Sequence, residues 1–357
     1  MKENTGFPSY VSFTITNACN LRCTMCGQWS QNGYIRENKS KLRHELTLAD
    51  WKKLVDEIDI HQIRSILLRG GEVFLFPEIM ELIEYINSKG IYISIDTNGT
   101  LLHKFAKDLV RLGQIHLTFS VDGPEEIHDK VRGVKGCFQK LKENIRMLHD
   151  IERTSNNKLS KSITFTISND SYMGLGKMAD VARSLNINSI VTVPYFYITE
   201  ELGKAQEAIM QENFLCNAYS WKGFQHETSG IDPAAFSKQY CEYKANLHDI
   251  HEFPYMGSTQ EGFSEKEIIE WFENPASLVG TFRCMNIERL IDIQPNGNAN
   301  FCTDSPDYVI GNVTKSSISA IWNGEKADIF RAYRRNQQLP GCHRCVAKYM
   351  SEIPDKI

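Results

Sequence analysis

Three cysteines, Cys19, Cys23 and Cys26, fall within the eight residues "CNLRCTMC", and four more, Cys284, Cys302, Cys342 and Cys345, gather near the other end of the chain. No apolar secretion segment opens the sequence, which begins "MKENTGFPSY". Clustered thiolates in such a chain read as ligands for zinc or iron–sulfur rather than as disulfides. A structural zinc site closes with four protein ligands, whereas the first set supplies three and no histidine lies close in sequence. That implies a cluster with one ligand position open, and an open metal position is a place for catalysis. The C-terminal four suffice for a tetrahedral site, so zinc and a fully ligated cluster both fit them. Cys137, Cys216 and Cys241 stand alone, and a lone cysteine is usually a small buried hydrophobe.

The elements that must hold these thiols are legible as an alternation. Strand-like runs, rich in β-branched and aromatic residues, are "VSFTIT" (from residue 11), "IRSILLRGG" (63), "IYISIDTNG" (91), "IHLTFSVDG" (115), "SITFTISN" (162) and "INSIVTVPYF" (187). Amphipathic helices separate them, the first opened by Thr47 and Asp50 in capping-box spacing, the second bounded by Pro77 and Gly90. Six βα units predict a parallel sheet with outer helices, and chemistry in such folds collects at the C-terminal strand ends. The cysteine loop, "RGGE", "TNG" and "SVDG" all fall there.

Of the 357 residues, 41% are hydrophobic and 24% charged, with a formal net charge of −4. This balance gives no general attraction for nucleic acid or an anionic membrane, and no stretch reaches the roughly 20 apolar residues of a membrane span. A cytoplasmic protein is expected. Between about 199 and 280 the pattern turns polar and helical, with fourteen acidic and five basic residues. A solvated face is the ordinary reading of such a run, and a lid influencing substrate choice is the alternative. Beyond 281, "RLIDIQPNGNANFC" suggests a hairpin and "SISAIWNGEKADIFRAYR" a helix. Three parts are therefore expected: a core at 1–198, an acidic helical insertion at 199–280 and a small cysteine-bearing domain at 281–357.

"CNLRCTMC" resembles the CxxxCxΦC signature of radical S-adenosylmethionine (SAM) enzymes, with Met25 at the Φ position. The resemblance implies a 4Fe-4S cluster on Cys19, Cys23 and Cys26 whose fourth iron is chelated by SAM. Gly70, Gly71 and Glu72 are similar to the family's GGE motif, which binds the SAM ammonium. Asn98 in "TNG", Ser120 in "SVDG" and Arg132 in "HDKVRG" resemble further SAM contacts, Arg132 gripping the carboxylate as a guanidinium fork can. The implied fold is a partial (β/α)6 TIM-like barrel. In the last domain, Cys284 and Cys302 bracket Gly297 as Cys-x12-Gly-x4-Cys, and Cys342 and Cys345 form a CxxC. That arrangement resembles SPASM and twitch extensions, and four cysteines imply the shorter form with one auxiliary 4Fe-4S cluster.

The resemblance implies two 4Fe-4S clusters, SAM, and an electron donor such as flavodoxin or ferredoxin. It does not name the substrate. Many peptide-modifying members carry a leader-binding domain ahead of the core, and only eighteen residues precede Cys19. The expectation is therefore oxidation of a small polar metabolite, sugar- or cyclitol-like, with modification of a ribosomally made peptide as the alternative. Cys216, in the acidic insertion, is the candidate for returning a hydrogen atom to a substrate radical.

Overall fold

The structure is a computed structural model that describes residues 6–37, 46–254, 264–280 and 284–345. The six expected strands form as β1 (Tyr10–Thr16), β2 (Ser65–Gly70), β3 (Tyr92–Thr97), β4 (Ile115–Ser120), β5 (Ser160–Ile167) and β6 (Ser189–Pro194), each pairing in parallel with the next. Their two-residue period sorts the side chains. Val11, Phe13, Ile15, Ile66, Leu68, Ile93, Ile95, Leu117, Phe119, Ile163 and Phe165 are buried in one hydrophobic core. On the opposite face stand Ser12, Thr14, Thr16, Arg69, Asp96, Thr118, Ser120, Thr164 and Thr166. The inner face of the sheet is thus polar, a surface made to meet a ligand rather than a second layer.

Between the strands lie α1 (Leu48–Ile60), α2 (Ile79–Ser88), α3 (Ala106–Leu112), α4 (Glu125–Arg132), α5 (Cys137–Arg153) and α6 (Met178–Ser184). The capping box read at Thr47 is present: Thr47 Oγ1 accepts from the Asp50 N–H, and the Asp50 carboxylate accepts from the Thr47 N–H. Leu54, Leu82, Leu109 and Leu141 bring the apolar sides of α1, α2, α3 and α5 into the same core. α4 has no counterpart in the sequence reading. It is short and strongly charged, and it lacks the run of apolar residues that marks the others.

The parallel sheet is wider than six strands. After α7 (Glu200–Phe214) and α8 (Pro233–Ala245), β7 (His251–Pro254) pairs in parallel with β6; after α9 (Glu265–Glu273) and α10 (Asn286–Arg289), β8 (Leu290–Ile293) pairs in parallel with β1. The segment expected to be a helical insertion therefore donates a strand, and the C-terminal part extends the core sheet. β7, four residues long, is too short for periodicity to reveal, and β8 is the first strand of the expected hairpin, whose pairing with β1 was not foreseen. β8 turns back through the expected hairpin into β9 (Asn298–Asn300), which pairs with β10 (Gly311–Asn312), before α11 (Ile318–Trp322) and α12 (Glu325–Asn336). The order is β10-β9-β8-β1-β2-β3-β4-β5-β6-β7, an open sheet consistent with a partial barrel. Among the described residues no helix is long and apolar enough to cross a membrane.

Candidate functional site

At the C-terminal strand ends opens a cavity of about 410 Å³. Cys19, Cys23 and Cys26 line one side of it, and Cys345 lines another. The loop after β1 folds so that Leu21, Cys23 and Cys137 form a small buried cluster, with Cys19, Met25 and Cys26 packed against it. Burial raises the Cys19 thiol to about 12 and the Cys26 thiol to about 11, and the Cys23 thiol also rises. Each of these thiols also senses another of the three as a like charge, or a nearby carboxylate. Three neighbouring thiols raised in this way ionise together most readily when a cationic centre takes them as ligands, which is the chemistry an iron–sulfur cluster supplies. The Leu21 N–H donates to Cys19 Sγ at 3.4 Å, and Arg132 donates to Cys23 Sγ at 3.5 Å.

The GGE motif does its work through geometry. Gly70 sits at φ +147°, a left-handed conformation that glycine alone adopts easily, and a Cβ on Gly71 would collide with the Ala18 carbonyl. These two positions let β2 approach the cysteine loop, where the Gly71 N–H donates to Thr16 O at 2.7 Å and the Glu72 N–H to Ala18 O at 2.8 Å. The Glu72 carboxylate is fully buried and accepts from Thr97 Oγ1 (2.7 Å), the Asn98 N–H (2.9 Å) and the Phe74 N–H (3.3 Å). It does not line the cavity, whereas Gly70, Gly71 and Asn98 do. The ligand-facing part of the motif is therefore its backbone, and the Glu72 side chain is a strut that fixes the "TNG" loop. Asn98 in turn donates to Asn20 Oδ1 at 2.9 Å and accepts from Thr100.

Ser120 and Arg132 also face the cavity. Arg132, the last residue of α4, lies 2.6 Å from Asp122 as a buried ion pair. Asp122 also receives the Thr166 N–H at 3.2 Å. Behind the pair, His128 is 1% exposed and its Nδ1 accepts from the Asp122 N–H at 3.2 Å. Burial, helped by the Arg132 charge, pushes the His128 imidazole down to about 3 from 6.5. The folded protein thus keeps His128 neutral while an unfolded chain protonates it, so its contribution is complete above pH 6.5 and is lost as pH falls toward 3. Wild type should lose on the order of a few kcal/mol more than His128→Gln between pH 7 and pH 4 in urea unfolding.

The C-terminal thiols form a second set. Cys284 senses Cys342, and Cys302 senses Cys345 and Cys342, with burial raising Cys284 and Cys302. Arg334, 3% exposed, donates to Cys342 Sγ at 3.1 Å, and the Ser305 N–H donates to Cys302 Sγ at 3.3 Å. The acidic segment forms a wall between the two sets. Phe224 lines the cavity and lies against Gly27 of the cysteine loop, Tyr219 meets Tyr34 edge-on, and Gln206 accepts from the Gly341 N–H at 2.9 Å. Cys216 lies outside this cavity: its thiol donates to Asp307 O at 3.3 Å beside the C-terminal domain. Sequence reasoning missed the charges at the centre of the cavity, Arg69, Asp96 and Asp304. The available signal was a charge inside each otherwise β-branched strand end, and one two residues beyond Cys302.

A parallel α/β sheet whose strand ends frame thiols and a ligand-sized cavity is the layout of a metallocluster enzyme. The sequence matches the radical SAM superfamily over residues 13–172 and an iron–sulfur cluster-binding SPASM domain over residues 284–346. The chain belongs to the radical SAM superfamily and carries a SPASM domain, and with them the cofactors SAM and 4Fe-4S clusters. It is 28% identical to the Fe-coproporphyrin III synthase of Methanosarcina barkeri over 57% of this chain and 47% of that one. It is 29% identical to the subtilosin biosynthesis protein AlbA of Bacillus subtilis, over 40% and 31%. A third relative, the AdoMet-dependent heme synthase of Methanosarcina barkeri, is 24% identical over 96% of this chain and 90% of its own. The chain thus spans less than half the length of the first two. Among solved structures, Streptococcus suis SuiB bound to its precursor peptide superposes with a TM-score of 0.64 at 14% identity, covering 96% of this chain and 71% of that one. This likeness is one of fold.

Proposed function

We propose that this chain modifies one side chain of a peptide by radical SAM chemistry. Cys19, Cys23 and Cys26 would hold the SAM-binding cluster, and Cys284, Cys302, Cys342 and Cys345 one auxiliary cluster. When bound, SAM and the reduced cluster supply a 5′-deoxyadenosyl radical that takes a hydrogen atom from the substrate. The chain's own residues do the rest. The Gly70–Gly71 backbone, Asn98, Ser120 and Arg132 orient SAM, Phe224 and Tyr34 shield it from water, and the polar strand ends receive the reacting group.

The observation that carries the peptide reading is the size of the cavity. At about 410 Å³ it lies toward the lower end of the range for ligand sites, and SAM must share it. One side chain fits beside SAM, and the remainder of a large substrate stays outside. Several curated relatives are named for peptide products: the AlbA protein, a sporulation killing factor maturation protein and a PqqA peptide cyclase. The expectation of a sugar-like metabolite rested on how little sequence precedes Cys19, and the names of these relatives favour a peptide instead. Three relatives are named for tetrapyrrole products, one of them matched along almost the whole chain, which makes a porphyrin the second reading. A porphyrin's carboxylates need several cations, and of the three guanidiniums lining the cavity Arg132 is paired with Asp122 and Arg344 donates to the Ser277 carbonyl.

Anaerobically reconstituted protein, SAM, a strong reductant and any short peptide found encoded beside its gene test the proposal. The peptide should lose hydrogen, as read by mass spectrometry, in step with 5′-deoxyadenosine formation. An unchanged peptide, together with a shift of the porphyrin absorption band on adding coproporphyrin, would transfer the assignment to the second reading. The auxiliary site gives a separate prediction. A guanidinium donating to a ligand sulfur raises a cluster's potential. Arg334→Gln should lower the potential of one cluster by tens of millivolts in an EPR-monitored titration and leave the other unmoved.

A further inference from the structure

Three charges meet inside the cavity without meeting each other. Arg69 points inward from β2, Asp96 from β3, and Asp304 enters from the C-terminal domain two residues past Cys302. Among the described residues none of the three has an ion pair; Asp96 accepts from Thr118, and Arg69 attracts both carboxylates across the space between them. The other charges facing them are accounted for. Asp292, beneath Arg69, accepts from Thr14 at 3.1 Å and from Gln294 at 2.5 Å. Arg344 is held by the carbonyls of Ser277 and His343, and Arg132 by Asp122. Two guanidiniums, Arg69 and Arg344, therefore face three carboxylates, Asp96, Asp304 and Asp292. Glu72, closed by its own donors outside the lining, only adds to the negative side.

A half-buried set with one excess negative charge is unfavourable until a cation joins it. We propose that Asp96 and Asp304 receive a cationic group of the substrate, an ammonium or guanidinium, with Arg69 holding the two carboxylates in place around it. The inference rests on the peptide reading and specifies it: the side chain that enters the cavity is a basic one. Threonines support the same pose. Thr118, paired in register with Asp96, bonds to its carboxylate, and Thr164 also lines the cavity with a hydroxyl that can accept from a donor position of such a group. Because Asp304 belongs to the C-terminal domain, a bound cation would also tie that domain to the core across the cavity.

The test uses reconstituted holoenzyme with SAM and four probes, the N-acetyl methylamides of lysine, arginine, norleucine and glutamate, with binding followed by ligand-observed NMR. Lysine and arginine probes should bind at least about tenfold more tightly than norleucine, the scale of one charge-assisted hydrogen bond, and glutamate most weakly. The double variant Asp96→Asn/Asp304→Asn should bring lysine level with norleucine, while Asp304→Glu, which keeps the charge, retains the preference. Equal binding of all probes, a preference for glutamate, no binding of lysine, or a lysine preference that survives the double variant each overturns the proposal. Formation of 5′-deoxyadenosine in the same samples reports on the underlying function separately. SAM cleavage without cation preference leaves the enzyme reading and removes the receptor.

Discussion

Replacing Cys19, Cys23 and Cys26 with alanine leaves reconstituted protein with about half of its roughly eight iron atoms per chain and no 5′-deoxyadenosine. The reasoning is local. The three thiols are neighbours in one loop, each raised by burial, so each alone is an inert thiol, and the proposal makes them a ligand set only together. The C-terminal set, held by Cys284, Cys302, Cys342 and Cys345, is a separate group and should keep its iron. Iron analysis and 5′-deoxyadenosine chromatography on the same preparation check both halves. Full retention of iron by the triple variant would remove the first site, and one zinc with about four irons in the unmodified protein would remove the second cluster. Because the loop also packs Trp29 and Tyr34 against Phe224, some loss of thermal stability is expected as well.

What the sequence disclosed and what it hid divide along sequence separation. The cysteine loop was readable because its ligands lie within eight residues, and β1 to β6 because each carries enough two-residue alternation to count. β7 was hidden by its length, the pairing of β8 with β1 by their separation in sequence, and α4 by its charge. The role of Glu72 was half legible: its place in a motif was plain, yet only the fold shows that its carboxylate is turned to Thr97, Asn98 and Phe74 and away from the cavity. Cys216 looked reactive because it lay in a polar, unassigned stretch, and the chain carries it to Asp307 instead. Arg69 and Asp304 are 235 positions apart in the numbering, and nothing local joins them. Their meeting follows from β8 adding to the edge of β1, a pairing that no pattern within either segment announces.

Arg132 is where stability and SAM binding can be separated by mutation. Its guanidinium lies 2.6 Å from Asp122, with Arg132 7% exposed and Asp122 fully buried. The contact is chiefly electrostatic, since neither Arg132 Nε nor Asp122 Oδ2 completes an aligned hydrogen bond. Removing one partner of a buried pair leaves a charge with nothing to balance it, a cost of about 3–5 kcal/mol. Arg132→Met should therefore destabilise by about that much, and Asp122→Asn by a similar or smaller amount, since Asn keeps an acceptor for the Thr166 N–H. In the double variant Arg132→Met/Asp122→Asn both charges are gone, and denaturant unfolding should show about 1–3 kcal/mol regained over Arg132→Met alone. SAM affinity divides differently. Asp122→Asn retains the guanidinium facing the cavity and should bind SAM within a few-fold of wild type, whereas Arg132→Met and the double variant should both lose at least about tenfold. If the double variant recovers SAM affinity along with stability, Arg132 is a structural ion-pair partner and the carboxylate of SAM is held by another group.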